Sequence, residues 1–172
     1  MKKCLWLVLA LVAGSAFAQQ YPNRPIKVII PWPPGQATDL SARIVGEKLS
    51  QQLGQPFIME NKPGAGGAIG TEMVAKSPPD GYTMMLGAVG NLAVNGFFSK
   101  NMTYDPLRDL APVTPAVTSG NVLVVHPSVP AKSLKEFLAL ARARPGQLAY
   151  GSSGVGGSGH LAVGLLQSMT KI

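Results

Sequence analysis

The chain has 172 residues, 46% hydrophobic and 13% charged, with 20 Gly, 15 Pro and a formal charge of +7. That balance excludes a highly charged disordered tail, and the Gly and Pro content predicts many tight turns rather than a helical bundle. Aromatics are only 6% and the bases from Arg24 to Lys171 are scattered singly, which argues against the clustered basic face of a nucleic-acid binder.

Met1-Lys2-Lys3 is a basic start, Leu5 to Gly14 an apolar run, and Ala16-Phe17-Ala18 a small-x-small cleavage pattern. Residues 1–18 therefore read as an export signal cut after Ala18; the apolar run is short for a membrane span. Removing 18 of 172 residues leaves 154, the length of one domain, with 13 bases against 8 acids, or +5. The single cysteine, Cys4, leaves with the signal. Disulfides, thiolate metal sites and cysteine nucleophiles are thereby excluded, and an exported chain held only by its core suits a bacterial periplasm.

The elements begin with a buried strand, Ile26 to Ile30, and a turn, Pro31-Trp32-Pro33-Pro34-Gly35. Thr38 or Asp39 is placed to cap a helix with Leu40, Ile44, Val45, Leu49 and Leu53 at helical spacing, ended by Gly54. Phe57 to Met59 reads as a strand, Asn61 to Gly67 as a glycine loop opening a helix near Ala68, and Tyr82 to Leu86 as a strand after the turn at 78–81. A small-residue loop with a short helix follows over 87–98. Val113 to Val117, Val122 to Val125 and Leu148 to Tyr150 are expected to be further strands. Ser133 and Glu136 form a capping box for a helix running to Ala143, and Gly151 to Gly159 is a loop before a helix from His160 to Met169. Strand and helix alternate, so the class is α/β with a mostly parallel sheet, and a domain crossing is expected near residue 119.

Three times a strand leads through a Gly-rich loop into a helix, at 31–39, 61–70 and 151–160. A helix start has free amides and partial positive charge, which favour an anion. One such loop is ordinarily a compact turn; three in equivalent positions at the carboxyl ends of strands point to a ligand crevice. Gly154, Gly156 and Gly159 fit a dinucleotide fingerprint, but no acidic ribose-binding residue follows at the required distance. The P-loop lysine spacing is missing, and His126 and His160 without adjacent carboxylates make a poor metal site. No cofactor is expected. Ser152, Ser153 and Ser158 lie near His160 but lack a Gly-x-Ser-x-Gly elbow, so a secreted hydrolase using Ser158 or His160 is a minor alternative.

Taken in order, several segments resemble the periplasmic solute receptors of tripartite tricarboxylate transporters, the Bug family. They are Tyr21-Pro22-x-Arg24-Pro25-Ile26, the 31–35 turn with Thr38-Asp39 and Arg43, the loop 61–67 with Gly70, Pro79 to Thr83, and Tyr150 to Gly154 with Gly159 to Ala162. The resemblance implies a type II periplasmic-binding-protein-like fold and no enzymatic activity. The receptor would capture a small carboxylate-bearing metabolite, a di- or tricarboxylate or an amino acid, as a monomer, and deliver it to a membrane permease. It implies ligand contacts at Pro34, Gly35, Gln36, Thr38 and Asp39, at Gly64, Ala65 and Gly66, and at Ser152, Ser153 and His160. The family usually has glycine where this chain has Gln36. Its members are about twice as long, so residues 19–118 are expected to be a first lobe lacking its return segments. Residues 119–172 are expected to begin a second lobe, stopping inside a helix. A non-functional fragment of such a receptor is the corresponding alternative.

Overall fold

The computed structural model describes residues 21–98, 102–152 and 154–172; the expected signal at 1–18 and Ser153 lie outside them. Three strands, β1 (Ile26–Ile30), β2 (Phe57–Asn61) and β3 (Thr83–Met85), form a sheet in the order β2-β1-β3, with both pairings parallel. β1 is central, and Ile26, Ile29 and Ile30 are fully buried. Burying each such side chain contributes roughly 1.5–3 kcal/mol.

The crossover from β1 to β2 is helix α1 (Ala37–Leu53), closed by Gly54 at φ +69°, the left-handed conformation a glycine adopts freely. Its packing differs from the expectation. Leu40 and Ile44 are 53% and 66% exposed, and Leu53 is exposed too; Ala42 and Gly46 are buried instead, with Val45 and Leu49 half-buried. A β-carbon on Gly46 would overlap the Met59 methyl on β2, so a small-residue stripe sets this approach and turns positions 40 and 44 outward. The cap also differs: Gln36 is the N-cap residue without a side-chain bond. Asp39, three residues in, reaches back to the Gly35 amide at 2.9 Å.

After β2 come a tight turn (Ala65–Gly67) and α2 (Ala68–Ala75), which packs on β1 and β3. Beyond β3 the backbone widens into a π-helical turn (Gly90–Val94) running into α3 (Asn95–Phe98). Helices α4 (Leu134–Ala143) and α5 (Ser158–Thr170) follow. Ser133 Oγ accepts the Glu136 amide, as a capping box requires, whereas Glu136 accepts from the Lys132 amide, one residue before the expected partner. Lys171, at φ +55°, is the C-cap residue of α5.

The expected strands at 113–117, 122–125 and 148–150 do not form among the described residues. These segments lie outside the one sheet described, and Val113 and Val124 are over 80% exposed. β-Branched residues favour extended backbone, but a strand needs a neighbour to take its amides and carbonyls.

Candidate functional site

β1 leads directly into Pro31 and Trp32, both buried, and the chain turns at Gly35 with φ +83°. Asp39, 2% exposed, holds this turn from below. Its Oδ2 accepts the Gly35 amide, and its Oδ1 accepts from Arg43 Nε at 3.0 Å and Asn61 Nδ2 at 2.9 Å. Asn61 Nδ2 also donates to the Trp32 carbonyl, and Arg43 Nη2 to Asn61 Oδ1. Bonds from the Arg43 guanidinium, then the Gly35 amide and the Asn61 carboxamide, lower the Asp39 pKa from 3.8 to about 2. Asp39 is thus an ionised brace whose oxygens face inward, and Arg43 is engaged with it.

In the second loop Gly64, Ala65, Gly66 and Gly67 all have positive φ. A β-carbon on Gly67 would lie 3.0 Å from that of Asn91, and one on Gly70 would lie 2.8 Å from the Lys62 carbonyl oxygen. Polar side chains secure the loop: Thr71 Oγ1 donates to the Gly67 carbonyl and Asn95 Nδ2 to that of Gly66. Asn91, fully buried, donates to Thr71 Oγ1 at 2.7 Å and accepts the Ala88 amide at 2.8 Å. The Tyr104 hydroxyl donates to the Asn91 carbonyl.

The third loop enters α5 through Gly157, an extended N-cap. It lies against the second loop and the π-helical turn. A β-carbon on Gly66 would lie 3.0 Å from the Val155 carbonyl oxygen, and one on Gly90 would overlap the Gly156 carbonyl. His160 Nδ1 accepts the Gly156 amide at 3.3 Å, and Ser158 Oγ donates to Asn121 Oδ1.

Between the starts of α1 and α5 is a cleft of about 230 Å³, lined by Trp32, Gln36, Ala37, Thr38, Ala88, Gly157 and Ser158. It is smaller than the roughly 300–1,000 Å³ of drug-sized sites, a scale suited to a small metabolite. No lining residue is charged, so the electrostatic feature of the cleft is its pair of helix N-termini. A wider concavity of about 480 Å³ around His126, Lys132 and Glu136 lies apart from all three glycine loops. No group of three or more His, Cys, Asp or Glu capable of holding a metal occurs among the described residues.

Of the residues singled out by sequence, Gln36 and Thr38 line the cleft. Asp39 is buried at the first turn of α1 and His160 lies one turn into α5, while Pro34, Gly35, Gly64, Ala65 and Ser152 are exposed and are not among the lining residues. Gly66 is half-buried under the third loop; Ser153 lies outside the described residues. Trp32, Ala37, Ala88 and Gly157 are additional, and Ser158, named only for the hydrolase alternative, joins them in the lining. Trp32 belongs to a quoted motif, and Ala37, Gly157 and Ser158 follow from moving each helix start earlier; nothing in the sequence marks Ala88.

The profile of the tripartite tricarboxylate transporter family receptor matches residues 41–171. The protein BugT of Bordetella pertussis is 39% identical over 167 residues, covering 96% of this chain and 51% of the relative. A protein from the tcbD-tcbE intergenic region of Pseudomonas sp. is also 39% identical, over 96% of this chain and 50% of its own. Among solved structures, an R. palustris protein with adipate superposes with a TM-score of 0.85 at 38% identity. MatC from Rhodopseudomonas palustris, with bound malate, superposes at 0.80 and 31%; each covers 88% of this chain and about half of the other. The chain thus spans about half the length of the relatives it matches. Its parallel α/β architecture is that of periplasmic binding proteins, and the chain belongs to the tripartite tricarboxylate transporter receptor family.

Proposed function

We propose that the chain is the N-terminal portion of a periplasmic solute receptor that captures a small carboxylate and delivers it to a tripartite tricarboxylate-type permease. The observation that carries this reading is the uncharged cleft with a helix N-terminus on either side. Backbone amides and helix dipoles there offer an anion donors without a paired cation. Adipate and malate, bound by structural relatives, are small acids of the right class. Residues 1–18 serve as a signal cut after Ala18, 19–118 as a first lobe and 119–172 as the start of a second, with Pro34, Gly35, Gln36, Thr38, Gly64, Ala65, Gly66, Ser152, Ser153 and His160 around the ligand and Asp39 beneath it. The receptor acts as a monomer and catalyses no reaction.

A thermal-shift screen of the chain with adipate, malate, citrate and amino acids tests this. A bound carboxylate stabilises the fold by RT ln(1 + [L]/Kd), about 2.7 kcal/mol at 100 times Kd. No shift across the panel overturns the proposal. One observation favours a second reading, a receptor fragment that does not bind alone: the exposed apolar segment 113–125, which joins no described sheet. Rapid proteolytic cleavage within 113–125, with no protection by any of these acids, is its signature.

A further inference from the structure

Beyond Tyr104 the chain has almost no interior. Ile26, Ile29, Ile30 and Trp32 belong to a core, whereas from 105 to 172 only Gly156 and Gly157 are buried among the described residues. That part is nonetheless rich in apolar side chains. Asn121-Val122-Leu123-Val124-Val125 carries no charge and no proline, and Val122 and Val124 are 83% and 81% exposed. Leu123 and Val125, which in a strand would take the opposite face, are exposed as well. The segment makes no backbone–backbone hydrogen bond among the described residues. Helices α4 and α5, which follow it, bury no residue, and Leu134 and Leu165 on them are exposed. β-Branched residues with free amides and carbonyls are what an added strand takes up, and an uncovered apolar area of this kind marks an interaction site.

The relatives indicate the occupant. The R. palustris protein with adipate superposes over 88% of this chain, more than the first 110 residues could supply, so much of 111–172 shares its arrangement with a chain about twice as long. About half of that longer chain lies outside the match, and the same holds for BugT. A segment without a core of its own, in the arrangement it has within a longer relative, fits what the rest of that relative supplies. We propose that residues 121–125, with the apolar sides of α4 and α5, are a docking surface for that other half of a family receptor, and that the half binds there even as a separate polypeptide. It adds a strand along 121–125, pairing the free amides and carbonyls and covering the valines. This rests on the reading of the chain as the N-terminal portion of a receptor.

The test co-expresses the chain with the half of BugT that lies outside the match, the tag being on that half. The two co-purify as a one-to-one complex, and amide exchange over 121–125 slows at least tenfold relative to the chain alone. Val122→Lys combined with Val124→Lys buries two unpaired charges in the interface and weakens binding at least tenfold. Both valines are over 80% exposed in the chain itself, so its own melting temperature stays within about 3 °C of the parent, which separates lost docking from lost folding. Failure to co-purify with this half and with the corresponding half of the R. palustris protein overturns the proposal, as does a complex that tolerates both lysines. Protection of 121–125 in the chain alone that grows with its concentration also overturns it, because a second copy is then the occupant. Titration of adipate and malate keeps the two readings apart. A complex that binds neither acid retains the docking surface and refutes the solute reading; acid binding by the chain without any complex does the reverse.

Discussion

Gly90→Ala separates the contribution of the third loop from that of the core. Gly90 is buried, and an added β-carbon would overlap the Gly156 carbonyl oxygen and lie 3.0 Å from its carbon, with the Trp32 ring at 3.4 Å. Restoring an ordinary carbon–carbon separation of roughly 3.5–4.0 Å requires the Gly156 peptide to retreat by about 0.5–1 Å. The loop yields more readily than the buried turn, because Ser152, Gly154 and Val155 are exposed. A retreat of that size lengthens hydrogen bonds from the α5 start toward the limit of useful geometry. Carboxylate affinity then falls at least tenfold, about 1.4 kcal/mol, and amide exchange accelerates over 154–161. Gly96→Ala is the control, since its β-carbon meets nothing within 4 Å; its stability stays within about 0.5 kcal/mol of the parent. If Gly90→Ala matches Gly96→Ala in both exchange and titration, the packing of the third loop on the turn at Gly90 is not what holds the cleft.

Asn91→Ala leaves Thr71 Oγ1 and the Ala88 amide without their present partner. It is expected to cost about 3 kcal/mol, a melting-temperature fall of roughly 6–12 °C; a loss under 1 °C would contradict it. Asp39, with its folded pKa lowered to about 2 from 3.8, binds fewer protons folded than unfolded between those values. Its stabilisation is present above about pH 4 and is lost as pH falls through about 2. Denaturation curves from pH 2 to 5 should show a shallower acid slope in Asp39→Asn, though not a flat one, because Glu60, Glu72 and Asp109 are also lowered. An unchanged slope removes Asp39 as the brace.

The segment from β1 to β3 was legible because its signals are local and agree with one another. The apolar run 26–30, the break at Gly54 and the glycine-punctuated loop at 64–67 each specify backbone geometry without distant help. The strands expected at 113–117, 122–125 and 148–150 failed for the opposite reason, since a ladder depends on a neighbour that no single segment encodes. Helical spacing at Leu40 and Ile44 misled because spacing finds a stripe but not what covers it, and the close approach of Gly46 to Met59 chose the neighbouring row. Within the site, Gln36 and Thr38 were readable from a motif. The brace formed by Asp39, Arg43 and Asn61 was not, because hydrogen-bond completion is a property of three-dimensional neighbours.

A cleft lined by backbone and small side chains discriminates mainly by length, which gives Gln36 its significance. It is the largest polar side chain lining the cleft, and it sits at the N-cap of α1 with φ −76° and ψ 163°, extended backbone open to any residue. Its side chain makes no capping bond, and glycine is itself an acceptable N-cap, so Gln36→Gly should alter stability by only a few tenths of a kcal/mol. Its principal effect is on space: losing the side chain enlarges a cleft of about 230 Å³ on the side of the α1 amides. The longer adipate should then gain affinity relative to malate, by tenfold if the freed space removes about 1.4 kcal/mol of crowding. Titration of both acids into parent and variant measures that ratio directly. If the ratio stays constant while both affinities fall together, Gln36 contributes a shared polar contact and solute length is set elsewhere along the cleft.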